Sequence, residues 1–392
     1  MSFEPPLTAW PTPALSSRLP EVGTTIFTVM SALATQCGAV NLGQGFPDFD
    51  GEPTLMAAVT DAMQAGHNQY PPMAGVPLLR QRIAAKLLRQ HGRAYEPDTE
   101  ITVTAGATQA ILTAVLALVH PGDEVIVLEP CYDSYAPAIE LAGGRVVRVP
   151  LRADNFHPDF ERIRAALGPR TRALLINTPH NPSGTVWTTA ELDQLAQLLR
   201  GTDTWVLADE VYEHMVFDGQ AHASVCAHPE LAARSLMISS FGKTFHVTGW
   251  KVGYVAAPAP LMAEFRKVHQ FNVFTVNTPM QHGLAAILAE PEHHEGLPAF
   301  YQAKRDRFRR GLARTRFRPL PCEGTYFQCV SYDGISELGD TEFCTWLTQT
   351  AGVAAIPLSA FYREPPRQQV IRFCFAKRDE TLDAALARLA QV

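Results

Sequence analysis

The run S-S-F-G-K-T-F-H-V-T-G-W-K-V-G, residues 239–253, sets Lys243 three positions after a hydroxyl, Ser240, and eight before a second cation, Lys251. Most lysines are solvated surface charges. Lys243 instead follows the apolar stretch 235–238 and stands close to Phe245 and Trp250, in a segment with little other charge. A confined site disfavours the ammonium form, so the amine can act as a nucleophile toward a carbonyl. A hydroxyl and a permanent cation nearby are what an anchored phosphate monoester requires. An imine-forming lysine beside a phosphate clamp describes a site for pyridoxal 5′-phosphate.

Outward from this run, apolar stretches at 236–239 and 252–255 read as strands flanking it. Further short apolar stretches at 101–104, 124–128, 145–149, 173–176 and 204–208 alternate with helical patterns at 108–119, from about 135, and at 189–199. Strands written as continuous apolar runs between helices predict an α/β fold with a mostly parallel sheet covered on both faces. Ligands of such sheets bind beyond the carboxyl ends of the strands. After about 291 the pattern changes to a charged helix over 301–314, a strand at 325–330, a helix at 341–350, strands at 353–356 and 370–375, and a last helix from 380. Helices grouped against a small sheet predict an α+β unit. The expected division is a large unit over 48–290, with 1–47 and 291–392 forming an N-terminal arm and a smaller unit. The arm has too little apolar content for a core of its own, so it should pack onto the smaller unit or across an oligomer interface.

The chain has 392 residues, 46% of them hydrophobic, ample for a large core. A net charge of −6 argues against nucleic acid or anionic membranes as main partners. No apolar run approaches the ~18 residues of a membrane span. The N-terminal M-S-F-E-P-P-L-T-A-W-P-T-P lacks the charged and apolar regions of a secretory signal. Seven scattered cysteines without a C-x-x-C pair read as reduced thiols, which points to the cytoplasm. The cluster Glu292-His293-His294-Glu295 lies in a polar stretch bounded by Pro and Gly; it reads as a solvated loop, and no metal is expected.

Further segments place chemistry at the expected strand ends. V-T-A-G-A-T-Q, 103–109, takes a strand into a helix through small residues, a turn that can present backbone N–H groups to a phosphate; a plain packing turn reads equally well. T-W-V-L-A-D-E-V-Y, 204–212, is an apolar strand ending in an acid pair. Asp209 at that tip is costly to desolvate unless it meets a cation, such as a protonated pyridine nitrogen. Glu210 should face the other way, because side chains alternate along a strand. L-I-N-T-P-H-N-P-S-G, 175–184, leaves another strand through irregular backbone that can set an amide in the crevice. E-P-C-Y, 129–132, supplies an aromatic just past a strand, and V-I-R-F-C-F, 370–375, interrupts an apolar strand with one arginine. Arginine grips a carboxylate through two parallel hydrogen bonds.

Taken in order from about 41 to 372, these segments resemble the class I aminotransferases, fold-type I enzymes that use pyridoxal 5′-phosphate. The phrases N-L-G-Q-G-F-P-D-F, the lysine run with His246 three residues after Lys243, and F-T-V-N-T-P-M-Q are similar to the methionine and kynurenine aminotransferase branch. The resemblance implies a mostly parallel seven-stranded sheet in the large unit. It implies that Lys243 carries the cofactor, with Gly106, Ala107, Thr108, Ser240 and Lys251 on its phosphate, Tyr132 stacked on its ring, Asp209 on its ring nitrogen, and Tyr212 and Asn181 on its 3′ oxygen. Arg372 and Asn181 would hold the substrate α-carboxylate, and a backbone group of Gly45 would meet the substrate. Tyr70 would be lent to the phosphate of a neighbouring subunit, which implies a homodimer with shared active sites.

The function implied is transamination between an L-amino acid and a 2-oxo acid, with Lys243, Asp209 and Tyr212 as the catalytic set. Methionine is the expected first substrate, with phenylalanine and kynurenine behind it, because Ile26, Phe27, Phe46, Tyr70, Tyr132 and Phe274 are expected near the pocket mouth and none is basic. A cysteine-conjugate β-lyase could use the same site, and pyruvate release without an added oxo acid would distinguish it. A regulator built on such a domain would need a DNA-binding segment, and no basic arm precedes Asn41.

Overall fold

Seven strands form the main sheet of the computed structural model, which describes residues 13–392. In chain order they are β1 Ile101–Thr104, β2 Glu124–Glu129, β3 Arg145–Pro150, β4 Thr171–Asn177, β5 Trp205–Asp209, β6 Ser235–Ser240 and β7 Gly253–Ala256. Their order across the sheet is β1-β7-β6-β5-β4-β2-β3. β7 runs antiparallel to both of its neighbours, and the remaining pairs are parallel. The apolar centres of these strands are the reason: Leu174, Ile176, Val206, Leu207, Ala208, Leu236, Met237 and Ile238 are all fully buried. Burying each large aliphatic side chain contributes about 1.5–3 kcal/mol, and a sheet covered on both faces collects that contribution from every residue.

The helix Gly106–Leu118 is apolar almost throughout and lies against β6 and β7 on one side and the helix Ala259–Asn272 on the other. Thr189–Leu199 begins with a reciprocal cap, in which the Thr188 side chain accepts from the Glu191 N–H and the Glu191 carboxylate accepts from the Thr188 N–H. That pairing explains why the sequence pattern located its start.

A second sheet has four strands, β8 Arg318–Pro319, β9 Phe327–Ser331, β10 Ile356–Pro357 and β11 Val370–Cys374, in the order β10-β11-β9-β8 and antiparallel throughout. The stretch expected as one strand at 353–356 is two. Val353–Ala354 pairs in parallel with Val40–Asn41, whereas Ile356–Pro357 pairs with β11. The helix Ile26–Cys37 packs against the turn Leu347–Ala351, so the described part of the N-terminal arm rests on the C-terminal region. The N-terminal stretch read above as lacking a secretory signal lies, apart from its last residue, outside the described residues.

The expectation of a solvated loop at 292–295 is corrected. These residues form a single helical turn in which His294 is fully buried and its ring lies 5.0 Å from that of His214. His293 bridges Glu52 and Glu290. Polarity of sequence suggested exposure, but two of the polar groups are consumed by packing and ion pairs. The charged helix expected at 301–314 starts a turn earlier, at Leu297, because Pro298 suits a first-turn position. No helix among the described residues is long and apolar enough to cross a membrane.

Candidate active site

The parallel strands end together, and so do the chemically active residues of the sequence. β1 runs into Gly106, β4 into Asn181, β5 ends at Asp209, and β6 ends at Ser240, one short turn before Lys243. β7 is reversed, so Lys251, just ahead of its first residue, comes to the same edge. Here a cavity of about 390 Å³ is lined by Gly45, Ala107, Thr108, Tyr132, Asn181, Asp209, Tyr212, Ser240, Lys243, Lys251, Arg372 and Phe27, with further residues around them. This volume lies within the usual range for small-molecule sites.

Lys243 sits on the one-turn helix Phe241–Thr244. Its Nζ donates to the Tyr326 hydroxyl at 3.0 Å and approaches the Gly45 carbonyl at 3.4 Å. Burial, ahead of all other causes, lowers its amine to about 8. An amine so lowered is neutral in a useful fraction near neutral pH.

Asp209 is buried, and desolvation raises its carboxyl to about 6. The Tyr135 hydroxyl donates to it at 2.5 Å and the Val211 N–H at 3.3 Å, which restrains the rise. No cation touches it among the described residues. The next residue, Glu210, turns to the far side, where it accepts from the Val225 N–H at 2.9 Å and meets His222 at 2.8 Å. The strand alternation expected from sequence is therefore present at the acid pair.

Arg372 carries the complementary imbalance. It is only 1% exposed, and its guanidinium lies 3.8 Å from the Phe327 ring centroid. One terminal nitrogen donates to Asn181 Oδ1 at 2.7 Å and the other to the Gly43 carbonyl at 3.2 Å, while Nε has no partner among the described residues. A buried guanidinium without a carboxylate is an expensive arrangement unless a ligand completes it.

At the other end of the cavity, Gly106 adopts φ +78, and a Cβ built there would lie 3.3 Å from both Cε and Nζ of Lys251. Glycine is what lets the cation pack down on this turn. Lys251 itself has φ +55. With Ala107, Thr108 and Ser240 beside it, this end can hold an anion.

Not every residue expected at the pocket is there. Phe274 and Tyr70 lie outside the cavity of their own chain; they pair edge to face at 5.4 Å and remain 44% and 82% exposed. Phe46 is turned toward Lys377, and Ile26 packs into the core. Aromatic character could not fix which way these side chains turn. The structure adds residues that sequence reasoning missed. Tyr135 supports Asp209, Tyr326 meets Lys243, and Asn177 holds the loop by donating to the Asp209 carbonyl at 2.8 Å while accepting from the Asn181 N–H. Tyr135 follows Tyr132 by three positions at the start of the helix Tyr135–Leu141, the one local signal that could have found it.

The model of the family described as aminotransferase class I and II matches residues 38–389. Methionine aminotransferase of Escherichia coli is 55% identical over 377 residues, covering 96% of this chain and 98% of its own. A solved Escherichia coli structure, described as identifying a methionine aminotransferase function, superposes with a TM-score of 0.96 at 54% identity, covering 97% of this chain and all of that one. A probable N-succinyldiaminopimelate aminotransferase of Mycobacterium tuberculosis is 45% identical over 95% of this chain and 97% of its own. Kynurenine–oxoglutarate transaminase 1 of Mus musculus is 35% identical over 91% and 92%.

Proposed function

The chain belongs to the aminotransferase class I and II family, and we propose that it uses pyridoxal 5′-phosphate to move the amino group of methionine, and less readily of aromatic amino acids, onto a 2-oxo acid. One observation carries this reading: a buried amine, Lys243, shares one cavity with a buried carboxylate and a buried guanidinium that both lack a counter-ion among the described residues. A pyridinium nitrogen would compensate Asp209, and a substrate carboxylate would compensate Arg372. The cation packed onto Gly106 suits a phosphate. The residues present therefore fit the cofactor.

When bound, pyridoxal 5′-phosphate supplies an aldehyde that takes up the amino group and a ring that accepts the electrons of the broken Cα–H bond. Lys243 Nζ would be the attachment point, and as a free amine it would take up the proton at Cα. Asp209 would keep the ring nitrogen protonated, and the Tyr135 hydroxyl, which donates to it, holds the Asp209 carboxylate in place. Tyr212 and Asn181 would donate to the 3′ oxygen, and Tyr132 would pack on the ring. Gly106, Ala107, Thr108, Ser240 and Lys251 would hold the phosphate. Arg372 and Asn181 fix the α-carboxylate, so that the Cα–H bond is presented in one orientation.

The active unit is a homodimer in the cytoplasm. Tyr70 would serve the phosphate of the neighbouring subunit, a role that its exposure in one chain supports. The large unit, 48–290, carries the cofactor, and the arm with 291–392 carries Arg372. Substrate preference follows from the apolar Phe27, Ile111, Val211 and Phe327 in the lining, against which an unbranched thioether packs well. The kcat/KM values for methionine, phenylalanine, kynurenine and aspartate test this reading. Methionine should lead and aspartate trail; aspartate equal to methionine would overturn it.

A further inference from the structure

The Tyr326 hydroxyl stands between two groups that the proposed chemistry brings together. It accepts from Lys243 Nζ at 3.0 Å and donates its own proton to the Gly45 carbonyl at 2.6 Å. Tyr326 is fully buried just ahead of β9, with its ring edge to face against Tyr212 at 5.2 Å. Burial pushes the hydroxyl well above the usual phenol range, so its proton stays on the oxygen. Thr325 before it holds φ +66, a rare conformation for a β-branched residue. That turn is fixed by the Thr325 N–H, which donates to the Met215 carbonyl at 2.9 Å, and by its hydroxyl, which accepts from the Phe327 N–H at 3.1 Å. Gly45 is held as firmly. An added Cβ there would lie 2.8 Å from Phe327 Cζ, and the nearby carbonyls of Gly43 and Phe46 accept from Arg372 at 3.2 Å and Lys377 at 2.7 Å.

Toward Nζ, the hydroxyl and the Gly45 carbonyl both act as acceptors. The carbonyl has no proton to give and the hydroxyl has already given its own, so each contact takes an N–H and neither occupies the nitrogen lone pair. We infer that Tyr326 is a positioning residue that holds the free Lys243 amine by its N–H bonds and leaves the lone pair directed into the cavity. There the lone pair meets a carbonyl carbon or the proton at Cα. The inference rests on the transaminase reading above and deepens it. Because Tyr326 is fully buried in its own chain, the contact needs no second copy. Without the hydroxyl, Nζ would keep only the longer contact to the Gly45 carbonyl, at 3.4 Å, and would turn about its last bond.

Tyr326→Phe removes the hydroxyl and keeps the ring. Two ligands separate orientation from cavity shape in the full-length, cofactor-free protein. The aldehyde of pyridoxal 5′-phosphate joins Nζ with loss of one water, whereas pyridoxamine 5′-phosphate has no aldehyde and can only bind. The variant should attach the first about 10- to 100-fold more slowly, read from its absorbance, while its Kd for the second stays within about 2-fold. Once loaded, the variant should show kcat for methionine lowered by a similar factor with KM little changed, and a larger isotope effect with methionine deuterated at Cα. A measurement on the unaltered protein stands beside the variant: a crystal structure with pyridoxamine 5′-phosphate should place Nζ within about 3.2 Å of the Tyr326 hydroxyl. An unchanged attachment rate in Tyr326→Phe, a loss of pyridoxamine 5′-phosphate affinity as large as the loss of rate, or Nζ turned away from the hydroxyl in that crystal structure would overturn the inference and leave the transaminase reading intact. Unaltered protein that attaches no pyridoxal 5′-phosphate at Lys243 would sink both.

Discussion

Asp209, the proposed partner of the cofactor ring, is held at a cost to the fold. Burial raises its carboxyl from 3.8 to about 6 in the cofactor-free protein. Between those values the folded protein keeps a proton that the unfolded chain has released, so stability falls as pH rises through that window and stays lower above it. Asp209→Asn keeps an acceptor for the Tyr135 hydroxyl and removes the charge. It should therefore stabilise the cofactor-free protein at pH 8 by about 1–3 kcal/mol while removing the activity. Chemical unfolding at pH 5 and pH 8 checks this; an equal effect at both would contradict the assigned cause. Arg372 is likewise a buried charge, its guanidinium set against Phe327 and bonded to Asn181. Arg372→Ala should cost about 3–5 kcal/mol in kcat/KM for methionine and leave cofactor binding in place. Lys243, Asp209 and Arg372 were legible in the sequence because each is a charge set in apolar surroundings. Tyr326 was not, since it meets Lys243 across 83 positions of chain and a buried tyrosine looks like packing.

At the level of elements, the strand-to-helix turn at Gly106 is the point where backbone conformation and ligand binding depend on each other. Its φ of +78 strains any side chain, and an added Cβ would press on the end of the Lys251 side chain at 3.3 Å. Gly106→Ala should weaken cofactor affinity by about 1–2 kcal/mol from the backbone term alone, and further by displacing Lys251. Titration of the cofactor-free variant measures the loss, and an unchanged affinity would remove this turn from the phosphate site. The strands of the main sheet were legible because they are continuous apolar runs. The break between Val353–Ala354 and Ile356–Pro357 was not, because it depends on which distant strand each segment joins, Val40–Asn41 or β11. The turn at 292–295 misled for a related reason: its buried histidine is paid for by contacts made elsewhere in the chain.

On the scale of the whole molecule, a site at the common edge of six parallel strands and one reversed strand closes only when the C-terminal region brings Arg372 and Phe327 over it. In the proposed homodimer a second copy would cover the exposed Tyr70, Phe271 and Phe274. If Tyr70 serves the partner's phosphate, subunits carrying Lys243→Ala mixed with subunits carrying Tyr70→Ala should regain activity. Each mixed dimer would contain one site with an intact Lys243 and an intact Tyr70, whereas sites contained within single chains would stay inactive in the mixture. The account as a whole turns on Lys243. Reduction of the cofactor-loaded protein with borohydride, followed by peptide mass mapping, should find pyridoxyl phosphate on Lys243 alone, and label on any other lysine, or none at all, would contradict it.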